Sequence, residues 1–206
     1  PLPEQVTTNW INAGTYILEP GALSYVPDKE SCMFERDLFP NLLDSHAPVY
    51  GFPSRAYWMD LGTPVNYLKL HNDLLYREIT TPLSDLNITG SVTTGEQCEV
   101  HQTAELHGPL MVGSRTIIQA KAQIRGPVTL GNDCLLGSES MVQGIVAWDR
   151  VIIGEAATVS CSILGNDVVI GPGAKVEAGS VLADQVRVRP GVTVAGGTKA
   201  EPGIVL

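Results

Sequence analysis

The sequence predicts two unlike parts, a mixed α/β segment over residues 1–80 and a parallel β-helix over residues 81–206. Three observations carry this. Aliphatic residues recur every sixth position through the second part, as Val100, Leu106, Val112, Ile118, Ile124, Leu130, Leu136 and Val142. Apart from Trp148, every Trp and Phe lies before residue 60, so the chemistry available to a core changes partway along the chain. Finally, Ala56–Pro64 reads as a strand-like run, a turn glycine at Gly62, a cap at Thr63 and a first-turn proline. Asp60 is thereby expected at a strand end, where open α/β sheets place their chemistry.

The charge balance narrows the partners. Thirteen basic against twenty-two acidic residues give a net charge of -9, with no Lys or Arg cluster, so a phosphate backbone would be repelled and nucleic acid is excluded as a partner. No apolar run reaches the roughly 20 residues of a membrane helix, and no charged leader precedes an apolar stretch. The expectation is a soluble, cytoplasmic chain without a membrane partner. Cys32, Cys98, Cys134 and Cys161 are scattered without metal-ligand spacing, which predicts buried free thiols in a reducing compartment.

Taken in order, Pro1–Glu4 is an extended lead-in. Trp10–Leu18 is rich in β-formers and predicts a strand, with Gly14 as a bulge or as a point where a ligand approaches bare backbone beside Asn12 and Ala13. A short element around Ala22–Tyr25 is bracketed by prolines. Ser31 is positioned as a cap for an amphipathic helix from Met33 to Leu43, kinked or stopped at Pro40. Glu35 falls in its first turn, where the helix dipole favours a carboxylate even with no ligand. Pro48–Pro53 predicts a second short strand. A helix then begins at Pro64 and runs to Arg77 or Glu78, burying Tyr67, Leu70, Leu74, His71 and Leu75. His71 has no ligand-forming neighbour at a useful spacing and is predicted to pack at the core edge. Thr80–Asp85 is the hinge.

Beyond the hinge the period of six takes over, with Ile88 in phase with the later run. Small or aliphatic residues follow four positions after each aliphatic, among them Thr116, Ala122 and Cys134. A second register carries Leu164, Ile170, Val176, Leu182, Val188 and Val194, with the slip expected between Trp148 and Leu164. Six is too short for a helical repeat and too long for simple alternation, so each hexad is a short strand plus a turn. Three hexads close one triangular coil, and residues 88–199 make about six coils. The period itself does not fix handedness, and ordinary crossover rules would give a right-handed helix.

The motifs Asn12-Ala-Gly-Thr-Tyr, Phe34-Glu-Arg-Asp-Leu-Phe-Pro and Tyr57-Trp-Met-Asp-Leu-Gly-Thr-Pro, in that order and ahead of hexapeptide repeats, resemble the C-terminal part of a sugar-nucleotide pyrophosphorylase, mannose-1-phosphate guanylyltransferase-like. The resemblance implies the C-terminal piece of an α/β nucleotidyltransferase domain followed by a left-handed parallel β-helix. It implies formation of an NDP-sugar, GDP-mannose in that subgroup, and pyrophosphate from an NTP and a sugar 1-phosphate. Asn12, Ala13 and Gly14 would line the sugar, Glu35 would accept from its hydroxyls, and Asp60 would be the catalytic carboxylate and one of two ligands to Mg²⁺. The glycine-rich Thr-Arg nucleotide grip of the family has no counterpart, and Gly196-Gly197-Thr198-Lys199 is only a superficial echo. The expectation is a chain without the nucleotide-binding N-terminal half, inactive alone. Two other readings remain: a non-catalytic regulatory module that forms homo-oligomers through the β-helix, and a hexapeptide acyltransferase using His101 or His107 as base.

Overall fold

The computed structural model describes residues 8–28, 31–79 and 91–206. Pro1–Glu4, the hinge Thr80–Asp85 and the in-phase Ile88 lie outside the described residues. By packing, the chain divides into two compact units, residues 1–58 and 59–206, and each is taken by itself.

In the second unit the hexads fold as the period requires. Among the described residues, parallel strands stack into three faces: seven strands on the first, from Val92–Thr94 to Lys199–Ala200, six on the second, from Glu99–Val100 to Arg187–Val188, and six on the third, from Glu105–His107 to Thr193–Val194. Val112, Ile118 and Ile124 point inward from the three faces of one coil, each at most 2 % exposed. The small residues four positions on, such as Thr116 and Ala122, are also buried, where the corners leave no room for a larger chain.

The register locates the slip more closely than the sequence does. Adjacent strands pair at an offset of eighteen residues, as Leu110 with Val128, except at two levels where the offset is seventeen: Thr129 with Val146, then Val146 with Ile163. Both losses fall at the corner between the third and first faces, between the inward residues Val142 and Ala147 and between Val159 and Leu164. The expected single slip between Trp148 and Leu164 is therefore two slips of one residue, the first of them upstream of Trp148. In the two preceding coils that corner carries Gly108-Pro109 and Gly126-Pro127, whereas the shortened ones turn at Gly144 and Cys161, both with positive φ. Cys161 is exposed and only Cys134 is buried, so burial of all four thiols does not hold.

Two devices tie the coils together. Along the corner between the first and second faces, each backbone N–H donates to a side-chain oxygen one coil on: Ser114 to Asn132 at 2.9 Å, Asn132 to Asp149 at 2.8 Å, Asp149 to Asn166 at 3.2 Å and Asn166 to Asp184 at 2.7 Å. Beside that ladder, Arg115 grips Asp133 and Arg150 grips Asp167, both bidentate. The recurring glycines answer a spatial demand: a Cβ on Gly154 would lie 2.6 Å from the backbone nitrogen of Pro172 in the next coil.

Helix α2 (Pro64–Leu75) lies in the same unit and follows the sequence closely. Thr63 is its cap, Oγ1 accepting from the Asn66 N–H at 3.2 Å, with Pro64 at the first position. It lies on the first face, where the His71 ring nitrogen meets Thr129 Oγ1 at 3.3 Å and the Trp148 indole donates to the Tyr67 hydroxyl at 3.1 Å.

The first unit departs further from expectation. Among the described residues no strand forms at Trp10–Leu18, Pro48–Pro53 or Tyr57–Met59, although all three are rich in β-formers. Ile17 and Phe52 are 100 % and 94 % exposed, and β-formers without a ladder partner to pair with remain extended coil. A 3₁₀ turn spans Pro20–Tyr25. The amphipathic helix is split: Phe34–Leu38 is a π turn and α1 is Phe39–Asp44, with Pro40 in its first turn rather than its interior. Met33, not Ser31, precedes the turn, and its N–H donates to the Asp37 carboxylate at 2.7 Å.

Candidate functional site

The first unit gathers three of its polar side chains on an aromatic footing. Tyr16 stacks on Phe34 at 4.8 Å and meets Phe39 edge-on at 5.0 Å, which fixes its ring and aims its hydroxyl. That hydroxyl donates to Glu35 Oε1 at 2.7 Å. The Asn12 amide donates to the Tyr16 oxygen at 2.7 Å and to the same Glu35 oxygen at 3.3 Å. Asn12 and Glu35, twenty-three positions apart, are thus brought together through a tyrosine to which the sequence assigned no role.

The backbone beside this cluster is shaped by the same residues. Gly14 donates its N–H to Asn12 Oδ1 at 2.9 Å and sits at φ +71°, a conformation glycine adopts without strain. The Ala13 carbonyl accepts from the Trp58 indole at 3.2 Å. Asn12, Ala13, Gly14 and Glu35 are all exposed, so hydroxyl-bearing ligands could reach them. The hydrogen bond from Tyr16 holds the Glu35 carboxyl below its ordinary value of 4.5, and the same bond raises the phenol. Glu35 therefore presents an ionised acceptor, with Asn12 as a neutral donor and acceptor beside it. The missed residues, Tyr16 and Trp58, stand inside the sequence motifs; the aromatic pair Phe34 and Phe39 flanking Glu35 was the signal for the first.

Asp60 lies in the second unit. Its Oδ1 accepts from the Gly62 N–H at 2.8 Å, and its carbonyl accepts from the Asn66 amide at 2.7 Å, so the residue closes an Asx turn directly ahead of the α2 cap. A carboxylate held this way still offers hard oxygen chemistry and fits as one ligand of a divalent ion. Among the described residues no three His, Cys, Asp or Glu side chains cluster to hold a metal.

The remaining candidates are plain. His101 stays at the surface, its Nδ1 accepting from the Thr103 N–H of its own turn at 3.2 Å, and His107 is likewise exposed. His71 packs edge-on against Tyr67 at 4.7 Å, and burial lowers its pKa. Gly197 and Lys199 belong to the last coils, Gly197 in a positive-φ turn and Lys199 opening the final strand.

The fold defines a class, a parallel β-helix preceded in sequence by a short mixed segment that carries the polar cluster. Residues 3–77 match the family described as Nucleotidyl transferase. Residues 89–194, just over half the chain, match the family described as EIF2B subunit epsilon LbH domain, and the chain belongs to that family of left-handed β-helix domains. Among relatives, it is 36 % identical over 73 residues to the mannose-1-phosphate guanylyltransferase of Mycobacterium tuberculosis, covering 35 % of this chain and 20 % of that one. It is 32 % identical over 96 residues to the UTP–glucose-1-phosphate uridylyltransferase of a Synechocystis species, covering 46 % of this chain and 25 % of that one. The match thus spans a fifth to a quarter of these relatives' length. Among solved structures, an N-acyltransferase from Bacillus cereus, AntD, in a mutant form complexed with dTDP and coenzyme A, superposes with a TM-score of 0.54 at 16 % identity, covering 61 % of this chain and 84 % of that one, a likeness of fold alone. No helix among the described residues is long and apolar enough to cross a membrane.

Proposed function

We propose that this chain carries the sugar-phosphate side of a nucleotidyltransferase, within residues 1–80, joined to a left-handed β-helix over residues 81–206 that serves assembly or regulation. The reaction is formation of a nucleotide sugar: a phosphate oxygen of the sugar 1-phosphate attacks the α-phosphorus of an NTP in line, and the bond to pyrophosphate breaks as the new one forms. No covalent intermediate is needed, so the work is positioning and charge stabilisation. GTP and mannose 1-phosphate are the proposed pair, and the setting proposed is the cytoplasm.

The observation that carries this reading is the Asn12–Tyr16–Glu35 cluster. An ionised Glu35 accepts from two vicinal sugar hydroxyls, Asn12 donates to and accepts from a third, and the Asn12–Gly14 turn sets the backbone against the ring. Tyr16 is a positioning residue, holding Glu35 by its phenol while its ring is fixed between Phe34 and Phe39. Asp60 would hold Mg²⁺ as one of its few protein carboxylates. When bound, that ion supplies charge neutralisation at the phosphate oxygens. None of these residues forms a glycine-rich nucleotide grip, and the chain is expected to recognise the sugar without turning over.

Incubation of the chain with GTP, mannose 1-phosphate and Mg²⁺ tests the division of labour. Robust pyrophosphate release would contradict it. Calorimetry with mannose 1-phosphate tests the recognition itself, and binding unchanged by Glu35→Ala would remove the cluster from the site.

A further inference from the structure

The three faces of the β-helix differ in what their outward side chains present. On the first face the row contains Met111, Thr129, Val146 and Ile163, and helix α2 lies against it; Val146 and Ile163 are 3 % and 8 % exposed. The third face carries Glu105, Gln123, Met141, Thr158, Lys175 and Thr193, a polar row that suits water. The second face carries Glu99, Ile117, Leu135, Ile152, Val169 and Arg187. Its four central residues are aliphatic, yet Ile117 and Ile152 are each 39 % exposed. Beyond Arg187 the row continues by one bridge to Val205, 50 % exposed. Four aliphatics on consecutive rungs, flanked by Glu99 on one side and Arg187 on the other, suit a surface that meets a partner.

We propose that the second face is a self-association surface, on which a second copy of this chain docks antiparallel about a twofold axis. The inference rests on the reading that the β-helix assembles into homo-oligomers, and it names the face and the geometry. The charges select the partner. A twofold axis lying in the interface across the strand stack, between Leu135 and Ile152, pairs the first rung with the sixth, the second with the fifth and the third with the fourth, and leaves Val205 beyond the paired rungs. Glu99 then meets Arg187 of the second copy, Ile117 meets Val169 and Leu135 meets Ile152, so the row is complementary to itself reversed.

The neighbouring corner obeys the same rule independently. Its successive coils present Arg115, Asp133, Arg150 and Asp167, and reversal sets Arg115 against Asp167 and Asp133 against Arg150. The parallel alternative, with its axis along the stack, brings Arg187 near Arg187 and Glu99 near Glu99 and is disfavoured by repulsion at both ends. At the spacing of parallel strands, six rungs give a contact row roughly 24 Å long.

Sedimentation velocity on the full 206-residue chain over the micromolar range is the test. The wild type is expected to dimerise, Arg187→Glu to weaken the dimer about tenfold by turning two attractions into two repulsions, and Glu99→Arg combined with Arg187→Glu to restore it to within about threefold. These side chains point outward, so the variants should keep the wild-type melting midpoint, and the restored double variant guards against loss through misfolding. A wild type that stays monomeric, as it would if residues 1–58 of the same chain covered the face, overturns self-association altogether. A dimer indifferent to both Ile152→Lys and Arg187→Glu leaves self-association standing and overturns this face. A dimer strengthened by Arg187→Glu overturns the antiparallel geometry.

Discussion

The coils and the polar cluster are built by opposite means. In the coils each residue's environment repeats every turn, and every interior position is filled from a partner about eighteen residues away in a fixed register. In the first unit nothing repeats; Asn12, Tyr16 and Glu35 meet once, and among its described residues Leu38 and Leu42 are the buried aliphatics. Periodic structure spreads stability over many equivalent contacts, whereas the cluster concentrates its chemistry in a few hydrogen bonds at an exposed surface. Substitutions should therefore act on stability in the one and on ionisation and recognition in the other.

The largest contrast is a charge in the interior. Ile118→Asp, at a position 1 % exposed, should cost about 4 kcal/mol or more in chemical denaturation, since no group inside the coil can pair with a carboxylate. Phe52→Ser in the first unit, where the ring is 94 % exposed, should change stability by no more than about 0.5 kcal/mol. Equal effects would break the comparison. Gly154→Ala comes next: its methyl must displace the backbone of the following coil, at a cost of about 2 kcal/mol. At the join to the coils, Thr63→Ala removes the α2 cap, and a loss of about 1 kcal/mol is expected from urea unfolding.

Two pH effects are smaller and share a sign, stability falling with pH, but they have different causes and different pH windows. His71 is buried as the neutral ring and its pKa is lowered, so the folded chain resists a proton that the unfolded chain accepts. Stability should fall as pH drops below about 6.5, and His71→Gln should flatten that slope. Glu35 has a depressed pKa from its bond to Tyr16, so the interaction is present above the ordinary carboxyl value and lost as pH falls through the lower folded one. In an NMR titration Tyr16→Phe should move the Glu35 midpoint back up toward 4.5. A midpoint that stays put would separate Tyr16 from the cluster.

What could be read in advance follows the same division. Hexad periodicity revealed the interior rows and the small corner residues, because each is a local requirement repeated in every coil. Thr63-Pro64 revealed the start of α2 for the same reason, a cap being a matter of neighbouring residues. The two one-residue losses were read as one slip, since a pattern shows that the phase has changed but spreads the change over the interval between clear repeats. The strands expected at Trp10–Leu18 and Pro48–Pro53 failed because propensity says nothing of a pairing partner. Asn12, Gly14 and Glu35 were marked as candidates by resemblance of motif. Tyr16 was not: the phenylalanines flanking Glu35 signal an aromatic footing, but which ring closes on it is a contact between distant segments that spacing does not fix.

Recognition of a sugar phosphate by the exposed cluster is the point on which the proposed function turns. Titration of the ¹⁵N-labelled chain with mannose 1-phosphate, followed by NMR, should give saturable shifts at the Asn12 side-chain amide and the Gly14 backbone amide, weakened by Glu35→Ala and not reproduced by inorganic phosphate. Shifts confined to the coils, or none at Asn12 and Gly14 at saturating ligand, would contradict it.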